Sequence, residues 1–153
     1  MATEVSSILR DSEPYNCIGL IEVTFPDDAV FIGTCTLVGR NDILTAGHVV
    51  YSPDHGGWAK DVEFFFGADY NNITNELEDP GYYYVPTDWN AWCWPDSLYT
   101  DSDNQTMIMS EAQYDVAMIG INDPIGDTIG WLELNTKSSY SNTSGNAVGY
   151  PFD

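Results

Sequence analysis

The sequence predicts an all-β fold, an antiparallel barrel or sandwich, and three observations lead to that prediction. Apolar segments rich in β-branched residues are short and end at turn-forming residues, as where residues 17–25 and 29–38 flank Pro-Asp-Asp. No segment shows the periodicity of an amphipathic helix. The composition is that of a globular protein, because 43% of the 153 residues are hydrophobic and 14% are aromatic.

The predicted strands follow one another along most of the chain. In residues 17–25 and 29–38, Ile, Val, Phe and Thr favour extended structure, and Gly33 indicates a bulge or a sharp bend. A tight connection leads into the next strand, residues 43–45. The later predicted strands are residues 62–66, 82–85, 106–109, 116–121 and 147–150.

One region differs in character from the rest. Residues 68–113 are acidic and aromatic and contain few aliphatic side chains. Seven Tyr or Trp residues fall between positions 82 and 99. Two interpretations are open: the rings cover the hydrophobic surface of the barrel, or they form a rim or lid beside a substrate cleft.

The charge of the chain excludes two classes of partner. There are 24 acidic residues against 4 basic ones, which gives a net charge of −20. Such a surface repels nucleic-acid phosphates and anionic membranes, so neither partner is expected. No apolar stretch approaches the roughly 20 residues that cross a bilayer. Solubility is the simplest interpretation of the charge, and cation binding and steering of basic substrates are the functional alternatives.

Neither a cofactor nor a metal ion is expected. The chain has three cysteines, Cys17, Cys35 and Cys93, which permit one disulfide or none. No Cys-x-x-Cys pair exists, and His48 and His55 lack partners at zinc-ligand spacings. Residues 101–112 begin like a calcium loop, but Thr106 replaces the required glycine and Ala112 the terminal glutamate. A looser calcium site among these carboxylates stays open, whereas His55 in its polar loop is expected to be exposed.

Two motifs carry candidate catalytic residues. His48 lies in Leu-Thr-Ala-Gly-His-Val-Val, where small residues after an apolar strand let a ring stand rigidly at the edge of a cleft. Asp115 lies in Tyr-Asp-Val-Ala-Met-Ile, directly before an apolar strand. A carboxylate in such a desolvated place needs a hydrogen-bond donor, and an imidazole N–H is a suitable one. The aspartate would then fix the tautomer of the histidine.

Together these motifs resemble the histidine and aspartate motifs of trypsin-like, chymotrypsin-fold serine proteases, and most closely those of the bacterial glutamyl endopeptidase branch. Further matches follow in the family's order between residues 15 and 153. They are Gly-Thr-Cys-Thr-Leu-Val-Gly at 33–39, Asn-Asp-Ile-Leu-Thr at 41–45, Asn-Asp-Pro-Ile-Gly at 122–126, Gly-Trp at 130–131 and Val-Gly-Tyr-Pro at 148–151.

The resemblance implies a fold, a division of the chain and two roles. The fold would be a chymotrypsin-like antiparallel β-barrel, the first of two. Residues 1–14 would form an N-terminal arm, residues 15–128 a six-stranded first barrel, and residues 129–153 a linker and the first strand of the second barrel. His48 would be the general base of a Ser-His-Asp triad and Asp115 its orienting partner.

The resemblance also implies what the chain lacks. The family's nucleophile lies in a Gly-Asp-Ser-Gly element beyond the Gly-Tyr-Pro strand, and Ser144 has no such context. The chain is therefore expected to be inactive alone. Its partners would be a protein or peptide substrate and the missing C-terminal barrel. Secretion is expected by resemblance, although residues 1–14 lack the basic and apolar regions of a signal peptide.

Two other functions are open on the sequence. One is a non-catalytic binding module derived from a protease, which would use the acidic aromatic region for recognition. The other is an extracellular, calcium-dependent adhesive β-domain without protease ancestry.

Overall fold

Eleven strands and several short helical turns are present in the residues that the computed structural model describes, which are 4–71, 73–74, 76–94, 112–136 and 144–150. The strands are β1 (Ile18–Thr24), β2 (Val30–Leu37), β3 (Asp42–Thr45), β4 (Tyr51–Ser52), β5 (Gly57–Trp58), β6 (Asp61–Phe66), β7 (Asp69–Asn71), β8 (Glu76–Asp79), β9 (Tyr82–Tyr84), β10 (Trp89–Cys93) and β11 (Ala117–Ile121). The α-helical turns are Ser7–Arg10, Gly47–Val50 and Gly126–Ile129, and the 3₁₀ turns are Tyr15–Cys17 and Pro53–His55.

Seven strands form one antiparallel sheet in the order β10-β11-β3-β2-β1-β6-β9. Side chains in β1 point to the two faces of the sheet in turn. Ile21 and Val23 are fully buried on one face, whereas Glu22 between them is only partly buried on the other. The inward residues meet those of the neighbouring strands in one core that includes Leu37, Ile43 and Phe64.

The two edge strands of this sheet, β10 and β9, are consecutive in the chain. The sheet therefore curls so that its first and last strands come together. Only residues 85–88 separate β9 from β10, so the first and last strands of the sheet are held together covalently. Pro86 in this link has no backbone N–H to donate, which interrupts the strand. The chymotrypsin-like barrel predicted by resemblance is confirmed, with seven strands in its sheet where six were expected, because this one segment is divided into β9 and β10.

Most of the predicted strands lie close to observed ones, and the exceptions have physical causes. Strand β10 was missed because its Trp-Asn-Ala-Trp-Cys sequence lies inside the acidic aromatic region, although Cys93 is buried and Trp92 exposed as strand alternation requires. The hairpins β4–β5 and β7–β8 were also missed. The predicted strand at 106–109 lies outside the described residues.

The prediction of a strand at 147–150 is wrong, because residues 144–150 contain no strand. The backbone N–H of Tyr150 donates to the hydroxyl of Thr34 at 2.8 Å instead of to a neighbouring strand. The Tyr150 hydroxyl donates to the carbonyl of Ala68 at 2.8 Å. Its ring packs on the outer face of the sheet against a small cluster that includes Leu20 and Phe65. The segment is thus anchored to the barrel by side-chain contacts.

All three cysteines are buried free thiols, which decides between the two alternatives left open by the sequence. Burial raises the pKa of the Cys35 thiol well above its usual range, which disfavours the thiolate form. In the described part of the chain, no helix is long and apolar enough to cross a membrane.

Candidate active site

Strand β3 delivers His48 to the end of the barrel. The strand ends at Thr45, whose buried hydroxyl donates to the carbonyl of Thr34 at 2.8 Å. The chain then forms the helical turn Gly47–Val50, in which Val49 and Val50 are buried and the His48 side chain is 62% exposed. Two buried neighbours therefore hold the turn while the imidazole faces solvent.

Gly33 makes room for this turn. A Cβ atom at Gly33 would lie 2.8 Å from Cγ2 of Val49, which is closer than side-chain atoms approach one another. The glycine predicted to mark a bend thus allows the residue after His48 to pack against strand β2. Sequence reasoning placed Gly33 in a strand but did not connect it to the histidine.

Strand pairing brings Asp115 to the same place. Ala117, the first residue of β11, pairs with Thr45, the last residue of β3. Because the two strands are antiparallel, the residues before Ala117 and those after Thr45 extend from the same end of the sheet. Asp115 and His48 therefore meet although 66 residues lie between them in the chain.

Both oxygens of the Asp115 carboxylate contact His48. Oδ2 lies 2.6 Å from Nδ1 of the imidazole, and Oδ1 accepts a hydrogen bond from the backbone N–H of His48 at 2.8 Å. The Asp115 side chain is only 13% exposed. An ionised carboxylate can only accept hydrogen bonds, so Nδ1 carries the proton and Nε2 is left with its lone pair. The pair presents a rigidly held base to solvent.

The same contact determines how His48 titrates. The hydrogen bond to Asp115 raises the pKa of His48, partial burial opposes this, and the charge of Asp115 adds to the increase. The imidazolium form is therefore stabilised beside the carboxylate. A group that accepts a proton at Nε2 and then holds it is what general acid–base chemistry requires.

His55, expected to be exposed in its polar loop, is partly exposed, with 30% of its side chain accessible. Its Nδ1 lies 2.7 Å from Oδ2 of Asp27, and its ring packs against Phe25 and Phe31 at centroid distances of 5.6 and 4.8 Å. The hydrogen bond from His55 lowers the pKa of Asp27, as does the one from the backbone N–H of Ala29. This second His–Asp pair joins the Pro53–His55 turn to the β1–β2 turn, a different place from the His48–Asp115 pair.

Other candidate residues of the sequence fall outside the pair or outside the described residues. Ser144, rejected as a nucleophile, is exposed in the 144–150 segment. The acidic stretch 101–111, where a calcium site stayed open, lies outside the described residues. Elsewhere in the described ranges, no group of three or more His, Cys, Asp or Glu side chains is placed to hold a metal ion.

The chain is similar in sequence to known proteins. A model of the trypsin family, described as Trypsin, matches residues 21–151. The extracellular metalloprotease of Bacillus subtilis is 29% identical over an alignment of 155 positions. The alignment covers 99% of this chain and 43% of that protein. The glutamyl endopeptidase of Bacillus licheniformis is 26% identical over 125 residues, covering 80% of this chain and 34% of that protein. The chain thus spans less than half the length of these relatives.

Solved structures share the fold. A structure of Glu endopeptidase in complex with MPD superposes with a TM-score of 0.58 at 23% identity. The match covers 90% of this chain and 53% of the Glu endopeptidase chain. The protease Anisep from Arthrobacter nicotinovorans has a TM-score of 0.54 at 19% identity, and the match covers 84% of this chain and 53% of Anisep. At these identities the likeness concerns the fold alone.

Proposed function

The chain belongs to the trypsin family, and from that premise we propose that it is the part of a serine endopeptidase that carries the general base and its orienting carboxylate. One observation carries the proposal. Both oxygens of the largely buried Asp115 carboxylate accept from His48, one from the ring and one from the backbone. A carboxylate so used fixes the position, orientation and tautomer of the imidazole together.

In the proposed mechanism, Nε2 of His48 takes the proton of a serine hydroxyl as its oxygen attacks the carbonyl carbon of the scissile peptide bond. The imidazolium then donates that proton to the leaving amine nitrogen as the C–N bond breaks. A water molecule repeats the sequence on the acyl-enzyme and releases the acid. Asp115 stays ionised throughout and stabilises the imidazolium.

The serine and the oxyanion donors would come from a part of the protein outside this chain. The family's nucleophile motif, Gly-Asp-Ser-Gly, does not occur in the 153 residues. Trp131 and Leu134 are exposed beyond the last helical turn and offer apolar surface to such a second barrel. We therefore assign residues 15–128 to the first barrel and residues 129–153 to the connection with the second. Without the covalent route and the oxyanion donors, the chain alone would not hydrolyse peptides.

The substrate class is proposed from the family, as protein or peptide, and secretion from the relatives' names. The word metalloprotease in one of those names describes that relative. For the longer protein that contains this chain, we expect a serine-directed phosphonate to abolish turnover. We expect EDTA to leave turnover unchanged. Abolition by EDTA together with resistance to the phosphonate would refute the Ser-His-Asp assignment.

The decisive variant is His48→Ala in that longer protein. Loss of the general base is expected to lower kcat by about 10⁴- to 10⁶-fold. His55→Ala is the matched control, because it removes an imidazole that also pairs with an aspartate but lies elsewhere, and it should leave kcat within about tenfold. If His48→Ala kept more than a tenth of the turnover, the assignment would be wrong.

The reading frame tests the proposal without an assay. We expect the coding sequence to continue past the codon for Asp153 and to encode Gly-Asp-Ser-Gly within about one further barrel's length. A stop codon there would contradict an active serine endopeptidase on one chain. It would leave either the protease-like binding module or a half-enzyme that needs a second polypeptide.

A further inference from the structure

Three exposed aromatic rings are in contact with one another at the end of strand β10. We call Trp92, Trp94 and Tyr114 the aromatic cluster. The Trp92 and Trp94 rings are 6.1 Å apart and nearly perpendicular, at 77°, and Tyr114 stacks on Trp94 at 5.0 Å. Trp92 is 59% exposed and Trp94 43% exposed. Large aromatic side chains that remain exposed as a group mark contact surfaces more often than isolated ones do.

Strand pairing places this cluster at the same end of the barrel as the His48–Asp115 pair. Cys93, the last residue of β10, pairs with Ala117, which in turn pairs with Thr45. Trp94 therefore leaves the sheet in the same direction as the chain that leads to His48. Tyr114 directly precedes Asp115 in the sequence. The cluster and the pair therefore lie at the same end of the barrel.

The basic side chains of the described residues are all engaged by carboxylates. Every Lys or Arg in the described ranges is already paired with a carboxylate: Arg10 with Asp69, Arg40 with Asp127, and Lys60 with Asp28. The segment 95–113, which connects Trp94 to Tyr114 in the sequence, contains four acidic residues and no basic one. With a net charge of −20, the potential at the surface attracts cations and repels carboxylates.

We propose that the aromatic cluster binds a Lys or Arg side chain of the peptide substrate. The inference deepens the proposed function and rests on it. Indole and phenol faces attract cations, and near-perpendicular rings let one cation contact more than one of them. Aromatic surface alone would serve an apolar side chain equally well. The negative charge decides for the basic one, because it adds long-range attraction to the short-range contact.

The experiment measures binding to the 153-residue chain, so it needs no turnover. Two N-acetylated, C-amidated tripeptides serve as probes, Ala-Lys-Ala and Ala-norleucine-Ala, which have the same length and differ in charge. Binding is followed by NMR through the indole N–H signals in 0.15 M NaCl. The Lys peptide should bind at least fivefold more tightly and should shift the signals of Trp92 and Trp94.

Variants separate the cluster from the general charge of the surface. Trp94→Leu should weaken binding of the Lys peptide by about two- to fivefold, the range of an exposed cation–π contact, and Trp92→Leu should act in the same direction. Trp58→Leu is the matched control, because Trp58 is 41% exposed and its ring contacts Tyr51 instead. Binding to this control should equal that to the unchanged chain. Thermal melting checks that each variant is folded.

Several outcomes would overturn the inference. Equal affinity for the two peptides would make the cluster an apolar site, and equal weakening by Trp94→Leu and Trp58→Leu would make the binding non-specific. Concentration-dependent dimerisation that covers the indoles would make the occupant a second copy of the chain. His48→Ala distinguishes this inference from the proposed function, because it should abolish turnover of the longer protein and leave binding of the Lys peptide unchanged.

Discussion

Replacing Asp115 with Asn tests the contact on which the candidate site depends, and it can be done in this chain. The amide oxygen of the new side chain can still accept from the backbone N–H of His48, as Oδ1 does now at 2.8 Å. Its NH₂ group would then face Nδ1, where a carboxylate oxygen lies at 2.6 Å. Because an NH₂ group can only donate, Nδ1 must become an acceptor and the proton must move to Nε2. In the proposed mechanism Nε2 receives a proton, so the base would be blocked at that atom.

The size of the effect on stability follows from the two hydrogen bonds. A hydrogen bond to a charged group contributes about 1.5–3 kcal/mol. The variant keeps one of the two in neutral form, and the ring is 62% exposed, so solvent screening reduces the other. We expect the free energy of unfolding to fall by about 1–2 kcal/mol at pH 5–6.

The pH dependence has a definite sign. Asp115 raises the pKa of His48 in the folded state. This contribution is fully present below the unfolded pKa of about 6.5 and is lost as the pH rises through the raised folded value. The stability difference between the chain and Asp115→Asn should therefore shrink as the pH rises above about 6.5. In the longer protein the acid limb of kcat/KM should lie above pH 6.5, and Asp115→Asn should lower kcat by about 10³- to 10⁴-fold.

Long-range ¹H–¹⁵N NMR of His48 measures both the tautomer and the titration. The unchanged chain should show the proton on Nδ1 at high pH, and Asp115→Asn should show it on Nε2 with a lower pKa for the ring. Asp115→Glu is a useful control, because it keeps the charge and alters only the geometry. An unchanged tautomer and an unchanged titration in Asp115→Asn would refute the role given to this carboxylate.

Two further predictions concern the frame around the site. Gly33→Ala should lower the free energy of unfolding by about 1–3 kcal/mol, because its new methyl group would meet Val49 at 2.8 Å; Gly145→Ala, where a Cβ meets nothing within 4 Å, should change it by less than about 0.5 kcal/mol. Thermal and urea unfolding compare the two, and equal effects would contradict the packing argument. Burial, and then the charge of Glu63 directly opposite, raise the pKa of Glu22. Ionisation of Glu22 therefore lowers the free energy of unfolding as the pH rises above about 4.3. Glu22→Gln should then stabilise the chain at pH 8 by up to about 1 kcal/mol and not at pH 3.5, and a loss of stability at pH 8 would exclude this repulsion.

Local patterning predicted most of the strands that have one buried face. In the second half of β1, Ile21 and Val23 are buried whereas Glu22 is only partly buried, and turn-forming residues follow the strand. The same rule would have found β10, where Cys93 and Ala91 face inward, but the exposed Trp92 hid the alternation. The prediction of a strand at 147–150 was wrong for a different reason. It is apolar enough for a strand, yet a strand also needs a hydrogen-bonded neighbour, and no local pattern shows whether one is present.

The candidate site divides in the same way. His48 and Asp115 could be named because each lies in a motif whose local chemistry suits its role, and because the pair resembles that of a known family. The contacts of His55 could not be predicted, since Phe25, Phe31 and Asp27 belong to an earlier hairpin and the sequence around the histidine contains only polar and small residues. Where a residue's partners are distant in sequence and no motif indicates them, only the fold identifies them.

The barrel explains why less than half the length of the relatives is enough to assemble the pair. His48 follows β3 and Asp115 precedes β11, and these strands are direct neighbours paired from Thr45–Ala117 onward. A shift of one residue in this pairing would turn Ile43 and Ile119 out of the core, so burial of these side chains fixes the register. The register in turn fixes the distance between the two segments that carry the pair. The geometry at His48 is therefore a consequence of the core of this barrel, and in the proposed enzyme a serine would have only to reach an imidazole already in place.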